Sequence, residues 1–97
     1  MSEYVLKLYV TGHTPRSERA ITNLRRLCEH ELAGRCELSI IDVLESPHLA
    51  EEERILATPT LIRAMPPPLR RVIGDLSNPA EVLFLLELPP YAITECP

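Results

Sequence analysis

ILATPTLIRAMPPPLRRVIGDL, residues 55–76, holds four of the chain's ten prolines, and Pro66, Pro67 and Pro68 are consecutive. The apolar stretches at residues 60–64 and 69–73 flank the triplet, and each reads as a short strand. Proline fixes φ and removes a backbone N–H, so the triplet cannot lie inside a sheet. It makes either a stiff hairpin connection or a place where the chain chooses between conformations. Just upstream, in Ala57-Thr58-Pro59-Thr60-Leu61, Pro59 enters the first of these strands, either as a cis bond or as a trans strand-entry turn.

The rest of the chain supplies the elements such a hairpin would pair with. Tyr4, Leu6, Leu8 and Val10 alternate with Val5, Lys7 and Tyr9, which predicts a strand over residues 3–10. Thr14-Pro15 reads as an N-cap with proline at the first helical position. Ile21, Leu24, Leu27, Cys28 and Leu32 then recur at helical spacing, and Gly34 is the expected stop. A second strand is predicted over residues 36–43. Ser46-Pro47 opens a short helix expected to run through Glu51-Glu52-Glu53 to about Leu56. Asn78-Pro79-Ala80-Glu81 is a capping box opening the leucine-rich residues 82–88, and Pro89-Pro90 ends it. The order is β-α-β-α-β-β-α. A parallel pair crossed over by a helix, then a hairpin and a last helix, is the α/β arrangement of a thioredoxin-like domain.

Ninety-seven residues support one domain, 1–97, with residues 91–97 expected as a loose tail. Aromatic residues make up only 4% of the chain, so aliphatic side chains must build the core. The net charge of −4 argues against a dedicated nucleic-acid binder. No apolar run approaches the roughly 18–20 residues of a membrane span. MSEYVLKLYV lacks the basic region and cleavage site of a signal peptide, so the expected location is the cytoplasm. Cys28, Cys36 and Cys96 have no metal or redox spacing and read as free thiols. His13, His30 and His48 are likewise read as solvated, and neither metal nor cofactor is expected.

In a thioredoxin-like reading, redox chemistry would sit where the first helix begins, because a helix N-terminus lowers a thiol's pKa. That loop here is Thr11-Gly12-His13-Thr14-Pro15-Arg16-Ser17 and contains no cysteine. Cys28 lies well down the helix, and an oxidoreductase relying on it is the competing reading. A fold without its catalytic thiols points instead to a scaffold used for binding. Five arginines, Arg19, Arg54, Arg63, Arg70 and Arg71, are the candidates for a patch that meets acidic partner residues bidentately.

Three ordered stretches carry a resemblance: YVLKLYVTGHTPRSERAI (4–21), IIDVLESPHLAEEERILATPTL (40–61) and PPPLRRVIGDLS (66–77). Through them the chain resembles the circadian-clock KaiB family, or a divergent paralogue within it. The resemblance implies a non-enzymatic regulator that binds the ring-shaped ATPase KaiC, in concert with KaiA where that exists. It also implies self-association as a tetramer or dimer in an alternative fold, with the thioredoxin-like form binding the partner. The family's partner-binding positions match Tyr4, Arg19, Arg54, Arg63 and Arg71. The rebuilt half of the chain contains Pro59, Pro66, Pro67 and Pro68, together with two departures: Leu85 where the family usually has Gly, and Glu87 where it has Asp. Pro89-Pro90 replaces a Leu-Tyr pair, and the family's acidic tail is absent.

Overall fold

A computed structural model describes residues 4–32, 34–65 and 67–87. The element order is β1 (Tyr4–Val10), α1 (Pro15–Glu31), β2 (Cys36–Asp42), α2 (Pro47–Glu52), β3 (Thr60–Met65), β4 (Arg70–Ile73) and α3 (Pro79–Leu85). The four strands form one sheet in the order β2-β1-β3-β4. β1 and β2 are parallel, joined by α1 as a crossover, while β3 runs antiparallel to both β1 and β4. This is the thioredoxin-like α/β fold.

Register follows from the alternation. Leu8 lies opposite Ile40 on one side and Leu61 on the other, and Leu61 faces Val72. These residues, with Leu6, share one sheet face. Ala20, Leu24, Leu27 and Leu32 of the α1 region and Val82, Leu83 and Leu86 of the α3 region complete a single core with it. α1 presents that stripe because its apolar positions recur every three or four residues. Its start is fixed locally: the Thr14 hydroxyl accepts from the Ser17 N–H at 3.1 Å, and Pro15 occupies the first turn. α3 opens in the same way, with the Asn78 side chain accepting from the Glu81 N–H at 3.3 Å.

The opposite sheet face is only partly covered. Tyr9 and Ile62 are buried there. Burial raises the Tyr9 pKa, the Glu53 and Glu52 carboxylates raise it further, and Arg71 partly offsets them.

Two boundaries differ from the sequence reading. α2 ends at Glu52 rather than near Leu56. It buries no side chain and its Ser46 cap makes no side-chain hydrogen bond, so nothing rewards another turn. Arg54 then takes a left-handed φ of 53° and Leu56 stands 95% exposed. β3 runs on to Met65, with a bulge: Leu6 pairs with Arg63 and Val5 with Met65, so Ala64 is skipped. The hairpin turn contains Pro67 and Pro68, and both the Pro67–Pro68 and Thr58–Pro59 bonds are cis. Pro66, Leu88, Pro89-Pro90 and the expected tail lie outside the described residues.

Candidate partner-binding surface

The loop between β1 and α1 is a closed hydroxyl network. Ser17 is buried, and its hydroxyl accepts from the Thr11 N–H at 3.3 Å and donates to the Thr11 carbonyl. The Thr14 hydroxyl reaches Ser17 Oγ at 2.9 Å. Thr11 and Thr58 are joined hydroxyl to hydroxyl, which ties this loop to the one that precedes β3. Asp42 closes the third side, accepting from the N–H groups of Gly12 at 3.1 Å and Leu44 at 2.9 Å. Thr14 and Ser17 therefore stand three residues apart at a helix N-terminus, the spacing at which a dithiol would be useful. They are hydroxyls, which stay protonated at neutral pH. The sequence reading noted the missing cysteines and passed over this T-x-x-S spacing, the signal that would have located the network.

The thiols lie elsewhere. Cys28 is buried in α1, and Cys36 packs against the core at the start of β2. Burial and a hydrogen bond with Cys28 push the Cys36 thiol well above its ordinary value, which suppresses the reactive thiolate. Cys96 lies outside the described residues. Among the described residues no group of three or more His, Cys, Asp or Glu is placed to hold a metal ion. No helix among them is long and apolar enough to cross a membrane.

The arginines do not converge into one patch, contrary to the sequence reading. Arg19, on α1, pairs with Asp75 at 3.4 Å. Hydrogen bonds from Ser77, foremost, and from Arg19 hold the Asp75 carboxyl below the usual carboxylate range. Asn23 donates to the Asp75 carbonyl at 2.8 Å, so α1 is fastened to the β4–α3 connection. A groove of about 430 Å³ beside this contact is walled by Arg16 and Arg19 against Asp75 and Glu81, and has no surplus of one charge sign. Arg71 projects from β4 on the other side of the sheet, level with Ile62, and its Nη1 reaches the Arg54 carbonyl at 3.5 Å. Both residues are exposed, with Leu56 and the 60% exposed Ile73 near them in the chain. Arg70 pairs with Glu87 at 2.7 Å.

Tyr4 and Arg63 lie largely inside the structure. Tyr4 is 8% exposed and belongs to the core. Arg63 is 4% exposed. The period of a strand places residue 63 on the same face as Leu61, which is the core face. In this fold both side chains are turned mostly into the protein, unlike the exposed Arg54 and Arg71.

The sequence profile described as the KaiB domain matches residues 7–88, from β1 to just past α3. The chain belongs to the KaiB family. It is 51% identical to the circadian clock protein KaiB3 of Synechocystis, over 96% of this chain and 91% of that protein. It is 54% identical to the circadian clock oscillator protein KaiB of Prochlorococcus marinus strain MIT 9312, over 95% and 88% respectively. With KaiB of Thermosynechococcus vestitus the identity is 58%, over 88% and 79%.

Among solved structures, the KaiB-family chain superposes on the N-terminal domain of Synechococcus elongatus SasA with a TM-score of 0.72, covering 98% of this chain and 88% of that one. It superposes on mitochondrial thioredoxin 3 of Saccharomyces cerevisiae with a TM-score of 0.71, covering 90% and 79%. At 21% and 19% identity these two share the fold. The KaiB match and the thioredoxin-like fold thus cover the same stretch of chain, in which the start of α1 carries the hydroxyls of Thr14 and Ser17.

Proposed function

We propose that this KaiB-family chain is a non-enzymatic regulator that docks on a KaiC-like ATPase ring and modulates its phosphorylation and ATPase cycle. KaiA or another clock output protein is a further partner, and the chain self-associates as a dimer or tetramer. The observation that carries this reading is the family match along almost the whole chain. Hydroxyls at the positions where a dithiol would act support it, and so does the suppressed Cys36 thiolate. An oxidoreductase relying on Cys28 would have to work from a buried thiol in the last turn of α1, far from the helix N-terminus that activates one.

The charged part of the docking surface is assigned to Arg54 and Arg71, with Arg19 contributing from α1. Tyr4 and Arg63 contribute from within by holding the sheet that displays them. Charge reversal of Arg71 to Glu should weaken binding to the cognate ATPase by at least about tenfold, because a desolvated interface charge contributes on the order of 2 kcal/mol or more. Arg19→Glu should matter less, since Asp75 already offsets that charge. A pull-down in both nucleotide states, incubated for hours, checks the reading. No retention in either state overturns it, and unchanged affinity in Arg71→Glu and Arg54→Glu removes those residues from the surface.

The family's exchange between two folds gives Leu85 a role. It is the last residue of α3 and 45% exposed, so it contributes helix propensity more than burial. Glycine costs roughly 1 kcal/mol relative to alanine inside a helix. Leu85→Gly should therefore shift the population toward the alternative fold by up to about fivefold. New amide resonances across residues 55–87 would report it. A variant that keeps all of its thioredoxin-like population refutes the propensity argument.

A further inference from the structure

A buried arginine with no carboxylate partner among the described residues is the least expected feature of this core. Arg63 sits on the helix-covered face of β3, opposite Leu6 in β1 and Arg70 in β4. Its guanidinium is charged at any physiological pH. Nη1 donates to the Glu87 carbonyl at 3.3 Å and Nη2 to the Pro68 carbonyl at 2.8 Å. Nε is buried without a hydrogen-bond partner. The Glu87 carboxylate, which could have neutralised the charge, pairs with Arg70 instead.

On stability alone this is a poor solution, because burying a charge costs several kcal/mol and two carbonyls recover only part of it. An apolar side chain of similar length would fill the space better. What it could not do is join two carbonyls that belong to different elements. Pro68 lies in the turn of the β3–β4 hairpin, and Glu87 lies just past α3, in a left-handed conformation with φ 55°. We infer that Arg63 is an internal latch, a positioning residue that fastens the hairpin turn to the end of α3 so that the two open and close as one unit. The Arg70–Glu87 pair fastens the same corner from the solvent side, where salt screens it. The Arg63 contacts are part-buried and run to neutral carbonyls, so salt weakens them less. The latch goes beyond the proposed docking function and stands whichever partner the chain binds.

Native-state hydrogen exchange on the full-length chain tests it, because exchange reads the opening of each element separately. In the wild type, β4 amides and the Leu86 amide should show protection factors within about threefold of each other, at low and at 0.5 M salt. In Arg63→Met, Leu86 should exchange at least about tenfold faster than β4, while Tm stays level or rises because the buried charge is gone. Arg63→Lys, which keeps the charge and loses the fork, should uncouple the two as well, and decides the matter if the Met variant does not fold. Matched exchange persisting in the variant, or unmatched exchange already present in the wild type, overturns the latch.

Discussion

Leu24→Ala should destabilise the fold by about 3 kcal/mol, roughly a third to a half of what a domain of this size has in total. Leu24 is fully buried at the centre of α1. The helix there closes over the sheet face formed by Leu6, Leu8 and Leu61. The core on that face is aliphatic apart from Tyr4, and the chain's single phenylalanine, Phe84, stands 79% exposed. The surrounding core side chains are mostly aliphatic and held by the sheet and α1, so the void should close only in part and the cavity term should be close to its full value. Urea unfolding should show a lower midpoint with an unchanged slope. Leu56→Ala, at a position 95% exposed, should change stability by less than about 0.5 kcal/mol. Equal losses in the two variants would mean that the core is organised differently.

Most of that core was legible in the sequence, because β1 and α1 carry long, clean periods and helix caps that need no tertiary information. α2 was overrun because its cap-plus-proline start was visible while its lack of any buried side chain was not. The case of Arg63 is more instructive. Alternation along Leu61-Ile62-Arg63 already put residue 63 on the face of Leu61, and the general expectation that arginine is solvated overrode the period. The acceptors that make its burial tolerable come from Pro68 and Glu87, and no local pattern announces carbonyls from two other elements. The Arg19–Asp75 pair was hidden for the same reason: its members meet only once β4 and α1 are in place. The arginine patch failed as a single surface because charge was counted without the face each residue occupies.

Installing thiols at the hydroxyl positions should convert this domain into a working dithiol oxidoreductase. In Thr14→Cys/Ser17→Cys the two sulfurs would replace hydroxyl oxygens that already lie 2.9 Å apart. Position 14 is exposed and position 17 is buried, so one thiol can attack a substrate disulfide while the other resolves the mixed disulfide that forms. Position 14 caps a seventeen-residue helix, whose dipole and the residue 17 N–H that the Thr14 side chain now accepts would stabilise a thiolate there. Its thiol should titrate at least about one unit below the ordinary value near 8.5. With dithiothreitol as reductant, the variant should reduce insulin while the wild type and the variant's Cys28→Ser derivative separate the contributions: the wild type inactive, the derivative as active as its parent. A wild type already active, with activity lost on Cys28→Ser, would make the protein an enzyme after all. A double variant that forms its disulfide but shows an ordinary thiol pKa would show that the α1 N-terminus does not supply the field assigned to it. Loss of the Ser17 hydrogen bonds to Thr11 should lower stability by about 1–2 kcal/mol, a cost the fold can absorb. The expected gain of activity from two substitutions follows from a loop that keeps a dithiol's geometry while holding atoms that cannot do its chemistry.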